Sequence, residues 1–87
     1  MKILMAKTAA NWLQNAAPDI QRCVAEIYLG MLSESWENLL QSGFARRVAG
    51  AELELWVARK ANVRVFLTRT RTTDGDAILI VDIANKE

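Results

Sequence analysis

The feature that most constrains this chain is a change of hydrophobic period near residue 43. Before it, apolar side chains recur at helical spacing, as at Ile20, Val24, Ile27 and Met31. After it, apolar and polar residues alternate, as in Val63-Arg64-Val65-Phe66. Helical spacing predicts an amphipathic helix, and alternation predicts strands with one face buried. The chain is therefore expected to pair helices from its first half with a sheet from its second.

A short strand at residues 2–6 and two helices are predicted in the first half. Thr8 is placed to cap the first helix, and Pro18 suits the first turn of the second. Asp19 adds a favourable charge at the positive end of that second helix. Ser33-Glu34-Ser35 is expected to kink or restart the helix, and Gly43 is expected to end it.

Three or four strands are predicted after Gly43, at residues 44–48, 52–58, 63–69 and 77–83. A hairpin loop at 59–62 and a turn around Asp74-Gly75 connect the last three. The order is β-α-α-β-β-β, with one further strand optional. This order predicts an α+β fold, in which a helical hairpin packs on one face of a small antiparallel sheet. Residues 1–87 are expected to form a single domain.

The final strand is apolar on both sides until Asp82, which indicates a central strand or one covered by a partner. Strand parity also predicts which side chains share the helix-free face: Glu52, Glu54, Trp56, Arg64, Phe66 and Thr68. Two interpretations of this face stay open. In one, charge pairs and a Trp56–Phe66 contact only stabilise the sheet, by roughly 0.2–1 kcal/mol each. In the other, Arg64 holds a phosphate, a nearby carboxylate moves a proton and the aromatic rings stack a base.

Charge and composition restrict the available chemistry. The net charge is +1, so nucleic-acid binding requires the basic residues to cluster, and eight of the eleven follow residue 45. There is no histidine, and the single cysteine, Cys23, is expected at the edge of the core. No metal site, cofactor or phosphate-binding glycine loop is expected. A lone thiol fits a reducing compartment, no apolar stretch approaches the ~20 residues of a membrane span, and the protein is expected in the cytoplasm.

Segments along nearly the whole chain resemble the RelE/ParE superfamily of bacterial type II toxins. Ile3–Ala9 and Ala17–Gln21 are similar to the first strand and helical hairpin of that family. Arg47-Val48-Ala49-Gly50 is similar to its basic turn, and Val63-Arg64-Val65-Phe66 to its Tyr-Arg-Val-Tyr strand. Ile80–Lys86 resembles the closing strand with its basic end.

The resemblance implies a toxin that a cognate antitoxin neutralises. In the RelE branch it implies metal-independent, ribosome-dependent cleavage of mRNA, in which basic residues hold the scissile phosphate and a base activates the ribose 2′-hydroxyl. Arg64 matches the mid-strand arginine of the family, Lys86 falls near the basic residue of the last strand, and Glu54 is the carboxylate expected beside Arg64. These three are the predicted catalytic residues. The predicted RNA-binding residues are Arg46, Arg47, Arg59, Lys60, Trp56 and Phe66.

Departures from the family keep two other functions open. Many relatives carry lysine or arginine on the strand before the hairpin, where this chain has Glu52, Glu54 and Trp56, and its only tyrosine, Tyr28, is predicted in a helix. The ParE branch, which acts on DNA gyrase without nuclease residues, is the first alternative. A plain interaction module, with the open face as a subunit interface, is the second. The expected partners are an antitoxin, the ribosome with its mRNA, or further copies in a homodimer or hetero-oligomer.

Overall fold

Three helices and five strands make up residues 2–52 and 54–85, the part of the chain that this computed structural model describes. In chain order they are β1 (Lys2–Met5), α1 (Lys7–Gln14), α2 (Pro18–Leu32), α3 (Trp36–Gln41), β2 (Ala45–Arg47), β3 (Trp56–Lys60), β4 (Val63–Thr72) and β5 (Gly75–Asn85). The predicted α+β class is confirmed. The second predicted helix is divided, because the chain leaves helical geometry at Ser33 and restarts at Trp36.

The five strands form one sheet in the order β1-β5-β4-β3-β2. Strands β2 to β5 pair antiparallel through hairpin-like connections, whereas β1 runs parallel to β5. The sheet is therefore mixed, with its one parallel pairing at an edge. Because β5 lies between β1 and β4, the apolar character of both its sides is that of an interior strand.

The ends of the helices follow local chemistry. Pro18 occupies the start of α2, where its missing N–H costs no hydrogen bond. The Ser35 hydroxyl caps α3 by accepting a hydrogen bond from the Asn38 amide at 3.2 Å. Helix α1 begins at Lys7 after Ala6, without a side-chain cap, so the prediction that Thr8 caps it is wrong.

All three helices pack on one face of the sheet. Their buried contribution comes mainly from Val24, Ile27, Met31, Trp36 and Leu39. The buried strand residues that pack against them are Trp56, Ala58, Val63, Val65, Leu67, Ile78, Ile80 and Ile83. On β4 the buried residues alternate with half-buried ones, so Arg64, Phe66 and Thr68 lie on the opposite face. The core thus fixes which side chains the sheet presents away from the helices.

Trp56 belongs to this core, and the prediction that it shares a face with Arg64 and Phe66 is wrong. Its side chain is 6% exposed, and its ring meets that of Trp36 edge to face, at 4.9 Å between centroids and 88° between planes. Its cross-strand partner is Leu67. Trp56 takes the buried position because a large indole gains more from burial than Val57 does, and Trp36 offers it a partner.

Arginines lie against the outer surfaces of both tryptophans. The Arg47 guanidinium carbon lies 5.5 Å from the Trp56 ring centroid, and that of Arg69 lies 5.9 Å from the Trp36 ring centroid. Each cation interacts favourably with the electron-rich ring beneath it. The tryptophan pair therefore ties α3 to β3 and holds two arginine side chains at the helix-covered side of the sheet.

Replacing Trp36 by Ala is expected to lower the free energy of unfolding by about 3–5 kcal/mol, the usual cost of deleting a buried indole. Urea unfolding followed by far-UV circular dichroism measures this change. Leu29→Ala is the control, because Leu29 is 63% exposed and its truncation should change stability by less than about 0.5 kcal/mol. Equal losses in the two variants would show that the tryptophan pair does not hold α3 in place.

Candidate anion-binding face

The sheet face opposite the helices, here called the open face, gathers side chains from four antiparallel strands. Register partners in an antiparallel sheet point to the same side. Arg59 of β3 lies opposite Arg64 of β4, and Arg46 of β2 lies opposite Val57, whose other partner is Phe66. These residues alternate with the buried ones of the same strands, so all of them face away from the core.

Three arginines on this face, Arg46, Arg59 and Arg64, form what we call the arginine cluster. Arg46 and Arg59 line a surface depression of about 260 Å³, together with Gly43, Phe44 and Val57. Across residues 2–52 and 54–85, none of the three guanidinium groups forms an ion pair with a carboxylate. Like charges directly opposite each other destabilise a sheet. A bound phosphate would offset that repulsion and accept charge-assisted hydrogen bonds from the guanidinium groups.

Phe66 and Asp82 extend the open face beside the arginine cluster. Phe66 is half-buried, and its partner on β5 is the exposed Asp82. The Asp82 Oδ1 accepts a hydrogen bond from the Ile83 amide at 2.9 Å, which fixes the direction of the carboxylate. The face thus combines an aromatic ring, a carboxylate and three cations within neighbouring register positions.

Lys60 and Arg47, both predicted to contact RNA, lie on the helix-facing side of the sheet. The predicted loop at 59–62 is shorter than expected, because β3 continues through Lys60 and only Ala61 and Asn62 form the turn. Arg59 and Lys60 consequently point to opposite sides. Lys60 pairs with Glu26 of α2, and the hydrogen bond to that carboxylate raises the pKa of Lys60.

Glu54 lies away from Arg64, so the prediction that the two are neighbours is wrong. The Glu54 carbonyl accepts a hydrogen bond from the Thr68 hydroxyl at 2.8 Å. Thr68 is four residues along β4 from Arg64, a separation of roughly 13 Å. Glu54 instead lines a depression of about 270 Å³ with Arg69, Thr70, Arg71 and Asp76. The sequence could not show this, because the strand register that pairs Arg64 with Arg59 is set by the turn at Ala61.

Lys86, the third predicted catalytic residue, lies outside the described residues. Asp82 was not among the predicted site residues, because Leu79, Val81 and Ile83 form a regular apolar face in the sequence and hide any change of parity. Only the structure, which buries both Ile80 and Ile83, reveals the β-bulge between them. Bulges often re-aim a side chain beside a functional site.

In the described part of the chain, no helix is long and apolar enough to cross a membrane. Over the same residues, the side chains of His, Cys, Asp and Glu form no group of three or more that could hold a metal ion.

Comparison with solved structures shows which known fold this chain shares. The structure matches a chain of the crystal structure of the archaeal RelE–RelB complex from Pyrococcus horikoshii OT3, with a TM-score of 0.64. The sequences are 20% identical, and the match covers 98% of this chain and 93% of that one. The chain therefore has a RelE-like fold. No protein-family model matches the sequence, and a search of curated proteins finds no match.

The Lys60–Glu26 pair is expected to make stability depend on pH in alkaline solution. Because the pKa of Lys60 is raised above 10.5 in the folded chain, the pair stabilises the fold fully below pH 10.5 and loses this contribution as the pH rises through the raised pKa. Glu26→Gln should therefore lower stability at about pH 8, and this loss should shrink as the pH rises above 10.5. Urea unfolding at several pH values compares the variant with the unchanged chain.

Glu37→Gln is the control for this measurement, because Glu37 lies in the first turn of α3 and has no lysine partner among the described residues. Its effect on stability should be the same at all pH values in this range. A Glu26→Gln effect that does not shrink as the pH rises would contradict the assigned role of Lys60.

Proposed function

We propose that residues 1–87 form a single RelE/ParE-like domain, the toxin of a type II toxin–antitoxin module, and that it cleaves mRNA on the ribosome. The observation that carries this proposal is the arginine cluster, in which Arg59 and Arg64 face each other without a described carboxylate partner. The RelE-like fold supports the same activity.

The open face suits the negative charge of an RNA backbone. A phosphodiester seated between Arg59 and Arg64 would accept hydrogen bonds from two guanidinium groups, and those bonds strengthen as charge grows on the phosphate oxygens during cleavage. Arg46 extends the positive surface toward β2. Phe66 offers a half-buried ring on which a base can stack. Because the net charge is only +1, RNA binding would depend on the local arginine cluster and not on long-range attraction by the whole chain.

We propose that a cognate antitoxin binds this protein. The toxin would act in the cytoplasm, where ribosomes translate mRNA. The structure that this chain resembles is itself that of a RelE–RelB complex. By analogy, an antitoxin chain bound to this protein would prevent access of RNA to the arginine cluster. The oligomeric state of such a complex depends on the antitoxin. Light scattering of the co-expressed toxin and antitoxin would measure it.

Arg59 and Lys60 provide a matched pair of variants for this proposal. Arg59→Gln removes a cation from the open face, whereas Lys60→Gln removes the neighbouring cation from the opposite side. Arg59→Gln is expected to slow cleavage of ribosome-bound mRNA by at least about tenfold, because one charge-assisted hydrogen bond to the phosphate contributes about 1.5–3 kcal/mol. Lys60→Gln should leave the rate within about twofold. Primer extension on programmed ribosomes measures both.

Binding provides a second measurement of the same proposal. For an uncleavable RNA, in which a single 2′-deoxynucleotide stands at the cleavage position, the logarithm of the affinity should fall linearly with the logarithm of the salt concentration. Arg59→Gln and Arg64→Gln should each reduce that slope by about one, and Lys60→Gln should not change it. Equal effects of Arg59→Gln and Lys60→Gln, or no cleavage by the unchanged chain, would reject the open face as an RNA-cleaving site.

A toxin that binds a protein target such as DNA gyrase, without chemistry, is the second candidate function. Two observations favour it: Glu54, the predicted base, lies away from the arginine cluster, and the chain has no histidine. In this case the arginine cluster would contact acidic groups of the target protein. Growth arrest on expression with intact ribosome-bound mRNA and inhibited gyrase supercoiling would select this candidate over the nuclease.

A further inference from the structure

We propose that Asp82 is the general base of the RNA cleavage, which takes the proton from the attacking ribose 2′-hydroxyl. This assignment rests on the proposed endoribonuclease function and replaces Glu54 with a different carboxylate. It follows from the register of β4 and β5, from the hydrogen bond that Asp82 makes, and from the positions of the other carboxylates.

A β-bulge brings Asp82 to the open face. Along β5, Leu67 pairs with Ile80 and Phe66 pairs with Asp82, so Val81 is an extra residue opposite the Phe66–Leu67 step. Without the extra residue, the register that holds at Leu67 would pair Asp82 with Val65 and direct the carboxylate into the core. The bulge instead keeps the side chain of Asp82 exposed.

The bulge also keeps the core intact on both sides of Asp82. Ile80 and Ile83 are each buried, at 1% and 2% exposure, although they differ in parity. An aspartate with no role beyond being solvent-exposed would not need a change of strand register to reach the surface. Here the strand geometry departs from regular pairing at the one step that aims a carboxylate toward the side of the sheet where the arginines lie.

Asp82 lies close enough to the arginine cluster to share a substrate with it. Arg64 pairs with Ala84, so Asp82 is its diagonal neighbour on the same face, at roughly 7–8 Å between α-carbons. The two side chains form no ion pair with each other, so both remain available to one nucleotide bound between them. A phosphate held by Arg64 and Arg59 would therefore place the adjoining ribose beside the carboxylate.

The hydrogen bonding of Asp82 prepares the carboxylate for this role. Oδ1 accepts a hydrogen bond from the Ile83 amide at 2.9 Å, which orients the group and leaves Oδ2 as the acceptor for a substrate hydroxyl. The other described aspartates of the second half are engaged at the opposite end of the sheet. Asp74 pairs with Lys2 at 3.4 Å, and Asp76 pairs with Arg71 at 3.5 Å.

The cleavage exchanges one bond of the phosphorus to oxygen for another and moves one proton. Asp82 removes the proton of the 2′-hydroxyl, and the 2′ oxygen attacks the adjacent phosphorus. The bond from phosphorus to the 5′ oxygen of the next nucleotide breaks, and a solvent water donates a proton to that oxygen. The hydroxide left behind takes the proton from Asp82, which restores the carboxylate. The products are a 2′,3′-cyclic phosphate and a free 5′-hydroxyl, while the guanidinium groups of Arg59 and Arg64 stabilise the charge on the phosphate oxygens.

Asp82→Asn is the decisive variant, because the amide keeps the shape of the side chain and its oxygen can still accept the Ile83 hydrogen bond. We expect cleavage of ribosome-bound mRNA to slow by roughly 100-fold or more, the usual effect of losing a general base. Affinity for the same mRNA with a 2′-deoxynucleotide at the cleavage position should change by less than about threefold. Asp82→Glu should restore part of the rate, and Glu54→Gln should leave it unchanged. Unchanged urea midpoints confirm that the variants are folded.

Two results would overturn the assignment in distinguishable ways. If Asp82→Asn cleaves mRNA as fast as the unchanged chain while Arg59→Gln is slow, the endoribonuclease function stands and Asp82 is not its base. If the unchanged chain leaves ribosome-bound mRNA intact under conditions in which it arrests growth, the proposed function and the role of Asp82 both fail. A product with a 3′-phosphate that never passes through a cyclic phosphate would likewise exclude attack by the 2′-hydroxyl.

Discussion

The contact between Trp36 and Trp56 is the interaction on which the rest of this structure depends. Burying Trp56 against α3 decides the parity of β3, and thereby turns Val57 and Arg59 outward. If Val57 had been the buried residue instead, Arg59 would face the helices and Lys60 would face away from them. The same contact anchors α3, whose first turn supplies Trp36. A single aromatic pair therefore couples the packing of the helices to the charge of the open face.

The bulge at Val81 is the second place where packing and surface chemistry are linked. Regular alternation can satisfy the core at Ile80 or at Ile83, but not at both. One extra residue reconciles them and leaves Asp82 exposed beside Phe66. The strand loses one regular pairing there, and the open face gains a carboxylate next to the arginine cluster. Local departures from ideal geometry often mark positions where function outweighs stability.

Arg59 and Lys60, the two cations next to the hairpin, are adjacent in sequence but lie on opposite faces of the sheet. Lys60 is neutralised by Glu26 and ties β3 to α2. Its neighbour Arg59 faces Arg64 and forms no ion pair with a carboxylate among the described residues. A sheet selected only for stability would place opposite charges at this pair of positions. The juxtaposed guanidinium groups are instead arranged as a pair that an anion stabilises, which is the physical basis of the proposed RNA site.

The sequence by itself determined the fold class, the places of β1, β4 and β5 along the chain, and the identity of Arg64 as an outward residue. Hydrophobic period depends on local spacing alone, and Val63, Val65 and Leu67 fix that spacing strongly. The sequence did not determine the partners of Arg64, because register depends on the length of the hairpin turn and on packing between distant segments. Only the tertiary structure decided that Arg59 lies opposite Arg64, that Trp56 lies in the core, and that Asp82, not Glu54, accompanies the arginine cluster. The physical reason is that a strand offers two equivalent faces, and contacts made elsewhere in the fold choose between them.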